Sequence, residues 1–495
     1  MTVRPSNSPD HPPLRRATAD VRPCPVCTGV ERRVLHRQRF RDGPLGDGYD
    51  VVVCRQCGAG FAEGIPSQEE LDRYYAGQSK YTYDHAEGAE SPYDFKRFEI
   101  IADQVIPFLP SREVRILDIG CATGGLLSVF KQRGFGNVLG IDPSPACAPA
   151  ARRLHGVEVR TATLAQLAGW QESFDLILLV GVLEHLRDVQ PAVRTVAGRL
   201  KAGGLLYCAQ PDVTAFADCV NAPYQQFSVE HVNFFSEASL NRLMAACGLA
   251  PRQTWRWMME WREGVTDSVV SGIFAAPPAA EVLSAKSQVS RIRPSPTAVP
   301  QVSSSRPSAE APSLSPSPSP IPLSPHSLPP SGEVPGSIPL RRGFGGQEFQ
   351  VPRSQPSPTV VPQIGSSVPP PAPPDRETEP ALQRYLAKCG VEDLKLQPII
   401  EQLVRNQEPV LIWGAGTLTR RLLESTRLTE ANIVAFVDSN PGIQGRRLAG
   451  RDILSPAQIA GRRETIVVCS KAFEREIVET IRNQLKLPNQ VITLA

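Results

Sequence analysis

No stretch of this sequence is apolar for long enough to cross a bilayer. The longest run, Leu176 to Leu183, falls well below the ~20 residues that span a hydrocarbon core. The N-terminus is polar, carries prolines and arginines, and lacks the apolar segment of a secretory leader. Net charge is nearly missing as well: 53 Lys and Arg face 50 Asp and Glu, a formal charge of +3. That balance, without a basic cluster interleaved with aromatics, argues against a nucleic-acid partner. The odd count of 11 cysteines excludes a complete disulfide framework. Seven of them stand singly among apolar or small residues, which suits a reducing compartment. The expectation is a cytoplasmic protein with no membrane partner.

At 495 residues the chain has room for two or three domains. Residues 1–20 are polar and aperiodic, and are read as a disordered tail. Residues 21–67 form a compact module. Ser91-Pro92 reads as a helix N-cap with proline in the first turn, and Phe95, Phe98, Ile101, Val105 and Phe108 recur at helical spacing. From Val114 strands and helices alternate, the pattern of a parallel sheet covered on both faces, so residues 91–275 are assigned to one α/β domain. Between Pro277 and Pro374 lie 25 of the 49 prolines, mixed with serine. No apolar face there could offset the ordering entropy, so residues 276–378 are expected to be a disordered Pro/Ser-rich linker. A helical period from Pro380 to Arg405, then the strands in PVLIWGAG, IVAFVD and TIVVCS, make residues 379–495 a second, smaller Rossmann-like domain.

Four cysteines are not scattered. Cys24-Pro-Val-Cys27 and Cys54-Arg-Gln-Cys57 are two C-x-x-C knuckles, and four thiolates complete a closed tetrahedral zinc site. The alternatives are unmetallated core cysteines or a redox dithiol pair. The 26-residue spacer exceeds that of the tightest ribbons and implies a hairpin or extended loop. A module this small buries little core, so a structural zinc ion would serve folding.

The central segment reads VRILDIGCATGGLLSVFKQRGFGNVLGID from Val114 to Asp142: strand, glycine turn, helix, strand, acid. Gly120 and Gly124 let the backbone approach a ligand, and an acid at the next strand tip can grip ribose hydroxyls. Asp142 follows Asp118 by 24 residues, near the separation of a nucleotide site. The full dinucleotide fingerprint is missing. The turn Asp118-Ile119-Gly120-Cys121-Ala122-Thr123-Gly124 instead resembles motif I of the class I methyltransferases that use S-adenosylmethionine (SAM). FDLILLVGVLEHLRD from Phe174 and LKAGGLLYCAQPD from Leu200 look like that family's fourth and fifth strands. The resemblance implies that Asp118, Gly120, Cys121 and Gly124 surround the methionine part of SAM and that Asp142 holds the ribose. Taken alone, Asp118 is also a helix cap and Asp142 a turn acid. Ala122 stands where the family often has glycine, and the family's adenine-contacting acid is not evident near Leu164.

VEHVNFFSEASLNRLMAACGL is similar to the acceptor-side segment of the sugar C-methyltransferases, which act on 4-keto nucleotide sugars through an enolate. In that subfamily a Glu-His pair and a tyrosine serve proton transfer, which implies catalytic roles for Glu230 and His231. Ser228 occupies the tyrosine position, leaving Tyr224 as a substitute. A packing or binding role for His231 stays open, and His185, near the methyl group in this fold, reads as a shape-setting turn residue. The order of cysteine module, SAM core and Rossmann-like domain is also that subfamily's. At the C-terminus, Gly414-Ala415-Gly416 and Asp438 repeat a nucleotide-site spacing, and VDSNPGIQGRRLAGRDILSP looks like a segment of domains attached to sugar-modifying enzymes. That domain binds a nucleotide or serves in docking. The expected function is SAM-dependent methylation of a small molecule, a sugar or nucleotide sugar. The alternatives are an RNA methyltransferase with a zinc ribbon and a non-catalytic SAM-binding scaffold.

Overall fold

A computed structural model describes residues 21–77, 89–278 and 373–494. The expected tail and nearly all of the expected linker lie outside the described residues. No described helix is long and apolar enough to cross a membrane, and all 11 cysteines are free of disulfides.

The first cysteine pair leads into β1 (Arg32–Arg39), which pairs antiparallel with β2 (Gly48–Cys54) and so forms the hairpin between the knuckles. β3 (Gly60–Glu63) continues the sheet. The fourth strand is not local: Asn233–Phe234, β9 in chain order, closes the edge by pairing with Gly60 and Phe61. The module therefore shares its sheet with the segment at Asn233–Phe234 rather than standing as a free bead. α1 (Gln68–Gly77) follows, started by Ser67 and Glu70, which exchange hydrogen bonds with each other's backbone. α2 (Pro92–Val105) begins at the expected Ser91, whose side chain and that of Asp94 form a capping box, a device that stabilises a helix start by about 1 kcal/mol.

The central sheet has seven strands. Its parallel part comprises β4 (Ile116–Ile119), β5 (Val138–Asp142), β6 (Val159–Thr161), β7 (Phe174–Val180) and β8 (Leu200–Pro211). The hairpin β10 (Ala250–Arg262) and β11 (Val265–Ala275) adds antiparallel to β8, giving the order β10-β11-β8-β7-β4-β5-β6. The apolar run in β7 fits its place: Leu176, Ile177, Leu178 and Leu179 are all fully buried, because a parallel strand covered on both faces needs apolar residues on both. Helices α3 (Gly125–Gln132), α4 (Cys147–His155), α5 (Val189–Ala197) and α6 (Glu237–Ala246) supply those covers. Strand order reverses at β4, between β5 and β7, and ligands in open α/β sheets bind at the carboxyl ends beside such a reversal.

After the undescribed stretch, α7 (Thr378–Asn406) starts two residues before the expected Pro380. Asp375, expected within the linker, is buried: it accepts hydrogen bonds from the backbone of Glu377 and Thr378 and from Ser236, and its own N–H donates to the Cys57 carbonyl at 2.8 Å. The linker boundary at 378 is thus too late, since a carboxylate that caps a helix and braces a knuckle belongs to the fold. A six-stranded sheet follows in the order β14-β15-β13-β12-β16-β17. β12 (Val410–Trp413), β13 (Ile433–Val437), β15 (Arg451–Leu454), β16 (Thr465–Val468) and β17 (Val491–Thr493) run parallel, and the short β14 (Arg447–Leu448) pairs antiparallel with β15. α8 (Thr417–Ser425) packs beside β12 and β13 in one apolar core.

Sequence periodicity gave no sign of how closely this C-terminal part is docked. Along α7, Tyr385 accepts from the Gln226 backbone through its hydroxyl at 3.0 Å, Cys389 Sγ accepts from the Tyr224 N–H at 3.1 Å, and Lys388 donates to the Cys219 carbonyl at 2.6 Å. From α8, Arg420 donates to the backbone carbonyls of Arg41 and Asp42 in the N-terminal module.

Candidate functional site

The turn after β4 is shaped by backbone conformations that side chains resist. Gly120 has φ +71°, and a methyl there would meet Val182 Cγ2 at 2.8 Å. Val182 lies in the loop after β7, so the missing side chain lets the two loops touch. Ala122 has φ +52°, which explains why glycine is common here: the left-handed region costs a residue with a Cβ roughly 1–2 kcal/mol.

Asp142, at the end of β5, clamps this turn. Its Oδ2 accepts from the Ala122 N–H at 3.0 Å and its Oδ1 from the Ser144 N–H at 2.9 Å. Asp118 lies on β4, 3% exposed, and burial followed by the nearby Asp142 charge pushes its carboxyl up to about 8. Cys121 is buried against Gly140 of β5, where a Cβ would meet its sulfur at 2.4 Å. Gly124 caps α3 at φ +83°. The five residues expected at a SAM site therefore line one turn at the strand-order reversal. A sixth group escaped the sequence reading. Glu90 accepts from the Thr123 hydroxyl at 2.6 Å and pairs with His155 Nε2 at 2.7 Å, tying the segment before α2 to the same turn.

Beside it, the loop after β7 carries Glu184 and His185. Glu184 is buried, its Oε2 has no hydrogen-bond partner among the described residues, and burial raises its carboxyl to about 8. His185 Nδ1 lies 3.0 Å from the Tyr75 hydroxyl and 3.2 Å from the Glu230 carbonyl oxygen. The His185 and His231 rings meet edge to face, with centroids 5.0 Å apart. Glu230 accepts from the Tyr74 hydroxyl at 2.8 Å. Glu184, His185 and His231 present ligand atoms within 4.8 Å of one another, so a cation as well as a proton could be handled there.

The tyrosines are the feature the sequence reading missed. Tyr224 lies away from the His185–His231 pair: it stacks on His36 at 5.0 Å and lies under the Arg421 guanidinium at 4.7 Å. Ser228, at the tyrosine position, accepts from the Glu230 and His231 N–H groups through its hydroxyl and shapes the loop. Tyr74 and Tyr75 of α1 reach the site instead, and burial pushes the Tyr75 phenol well above its ordinary range. The sequence holds a signal for this helix that was not used, the Ser67-x-x-Glu70 capping pattern ahead of the Tyr-Tyr pair, but no local pattern says that the pair crosses to residue 230.

The four knuckle cysteines converge. Cys24 and Cys57 sulfurs are 3.6 Å apart, Cys27 and Cys54 sulfurs 3.5 Å, and all four lie within 4.8 Å. A tetrahedron with Zn–S bonds of about 2.3 Å has edges of about 3.8 Å, so the donor set fits a zinc ion.

In the C-terminal sheet, Asp438 repeats the clamp of Asp142. Its Oδ2 accepts from the Ala415 N–H and its Oδ1 from the Asn440 N–H, both at 2.8 Å. Burial raises its carboxyl above the ordinary range, against the opposing pull of those two N–H groups and of the Arg420 charge.

Residues 93–254 match the family model described as a methyltransferase domain, and residues 406–493 match a model described as C2185-like, N-terminal. The ubiquinone biosynthesis O-methyltransferase of Rhizobium rhizogenes is 40% identical over 105 residues, 20% of this chain and 42% of that protein. The protein of the same name from Methylocella silvestris is 34% identical over 156 residues, 28% of this chain and 60% of that protein. The crystal structure of the N-methyltransferase NodS from Bradyrhizobium japonicum, in complex with S-adenosyl-L-homocysteine, covers 42% of this chain and 98% of its own, at 18% identity and a TM-score of 0.31. The chain spans less than two thirds of either curated relative's length. It contains a methyltransferase domain.

Proposed function

We propose that this protein transfers the methyl group of SAM to a small-molecule acceptor, most concretely to the carbon beside the ketone of a nucleotide-linked sugar. The observation that carries the reading is the contact between two loops: the glycine turn with its Asp142 clamp abuts, through Gly120 and Val182, the loop that holds His185 against His231. Donor and proton-transfer groups would then share one crevice.

Asp118 would face the methionine ammonium and Asp142 the ribose hydroxyls of SAM. The sulfonium is already a good leaving group, so the protein's task is to align the acceptor with the methyl and to remove its proton. In this reading His231, beside Glu230, takes the proton. A proton on His185 Nδ1 would donate to the Glu230 carbonyl and leave Nε2 as its basic nitrogen. The Tyr75 phenol, which keeps its proton, would supply a hydrogen bond where enolate charge develops. The four cysteines would hold structural zinc, and the Asp438 turn would receive the nucleotide head of the acceptor.

A second reading comes from the curated relatives, whose printed name is O-methyltransferase of ubiquinone biosynthesis. A hydroxyl acceptor needs only one base, which the histidine pair also supplies. Purified protein incubated with radiolabelled SAM and separate pools of nucleotide sugars, ubiquinone-type phenols and RNA decides between them. Label in nucleotide sugars is expected; label only in phenols or only in RNA would overturn the sugar assignment, and no label in any pool would favour a scaffold.

A further inference from the structure

Arg22 lies two residues before the first zinc-knuckle cysteine, yet its side chain is 2% exposed and reaches the acceptor side of the methyltransferase domain. Its Nη1 donates to the carbonyls of Ala62 and Val232, each at 3.0 Å. Its Nη2 donates to the Arg187 carbonyl at 2.7 Å, the Leu186 carbonyl at 3.3 Å and Asn233 Oδ1 at 2.7 Å. Asn233 completes the lattice by donating from Nδ2 to the carbonyls of Leu183 at 2.6 Å and Leu186 at 2.7 Å. The Val232 N–H donates to the Glu184 carbonyl at 2.7 Å.

These acceptors fall on both sides of the histidine pair. Leu183, Leu186 and Arg187 bracket Glu184 and His185, while Val232 and Asn233 follow His231. One planar guanidinium thus bridges the two loops that bring the imidazoles together, with Ala62 of β3 as its anchor. Lysine could not replace it, because a compact ammonium has three donors and no fork to span both loops. Among the described residues its hydrogen-bond partners are four backbone carbonyls and one amide oxygen, with no carboxylate. Taking a charge out of water costs free energy that carbonyl hydrogen bonds offset only in part, a cost that suits a group whose use is geometric.

We propose that Arg22 is a positioning residue: it sets the distance and angle between His185 and His231, so the N-terminal module is part of the acceptor site and not only a folding aid. The proposal rests on the reading that these histidines serve the acceptor, and the test separates the two. Full-length, metal-loaded protein is labelled with 13C-histidine, and the two resonances are assigned with His185→Asn and His231→Asn. In Arg22→Ala, metal content and SAM affinity are expected to stay at the wild-type level while the titration curves of His185 and His231 move together. Turnover on the acceptor that takes label from radiolabelled SAM is expected to fall about a hundredfold, as for a small misplacement of reacting groups. Millimolar guanidinium, filling the space left, restores both the curves and turnover; Arg22→Lys does not.

Where Arg22→Ala fails to fold, Asn233→Ala removes the second half of the same lattice and is expected to give the same signature. Gln190→Ala is the control. It breaks the module's contact with α5, a 2.9 Å bond to the Val26 carbonyl, and should leave the histidines unmoved. Unchanged histidine curves in both lattice variants, or the same signature in Gln190→Ala, would overturn the proposal. So would loss of metal or SAM binding in parallel with the histidine change. If wild-type protein transfers no label, the functional reading fails while the histidine titrations still decide the role of Arg22.

Discussion

Asp118 gives the sharpest test of where SAM would sit, because its carboxyl is held up to about 8 by burial and by Asp142. At pH 7 it is about nine-tenths protonated, and ionising it there costs about 1.4 kcal/mol, a factor of about ten. If the methionine ammonium pairs with the ionised carboxylate, binding at pH 7 releases close to one proton. The dissociation constant should then fall about tenfold from pH 6 to 7 and somewhat less from 7 to 8. Above about 8 the free α-amino group of SAM loses its own proton, so net proton release gives way to uptake and affinity stops rising. Calorimetry in two buffers of different ionisation enthalpy reads this directly: the observed heats should diverge at pH 6.5, agree near 8 and diverge with opposite sign at 9. Asp118→Asn, which stays neutral, should bind more weakly at pH 8 and lose the low-pH limb. Equal heats in both buffers at pH 6.5, together with unchanged affinity in Asp118→Asn, would refute the placement.

Four further outcomes are expected. Asp142→Ala should weaken SAM binding by one to two powers of ten, as a charge-assisted bond to a ribose hydroxyl worth about 1.5–3 kcal/mol is lost, and should lower the thermal midpoint as well, because the bonds to the Ala122 and Ser144 N–H groups go with it; equal affinity by calorimetry would count against the ribose contact. Asp118 and Glu184 both ionise near 4 when unfolded but hold their protons to about 8 when folded, so the stability they contribute is full below pH 4 and is lost as pH rises toward 8. The drop in urea midpoint from pH 5 to 8 should therefore be shallower in Asp118→Asn/Glu184→Gln than in wild type, and equal drops would refute it. Metal analysis should find one zinc per chain, and its removal by a chelator should unfold the β1–β3 module; an unchanged circular-dichroism melt after stripping would remove the structural role of zinc. Glu230→Gln and His231→Ala should each lower turnover by about 10²–10⁴ with SAM affinity intact, and full activity in both would eliminate the acceptor-side assignment.

What the chain determines by itself is local and periodic. The apolar run of β7, the glycine turn between β4 and α3, the Ser91 cap and the paired cysteines are each written within a few neighbouring residues, since strand burial, positive φ and thiolate spacing are short-range demands. Asp118 and Asp142 could be paired because a parallel βαβ unit brings successive strand ends together. Tertiary structure alone decided the rest. It put Tyr74 and Tyr75 beside Glu230 and His185, drew Tyr224 away to His36 and Arg421, added β9 to the cysteine module's sheet, and sent Arg22 across to Val232 and Asn233. Each of those pairings joins residues more than a hundred positions apart or depends on such a joining, and no period or spacing encodes which distant backbone carbonyl a buried side chain will meet.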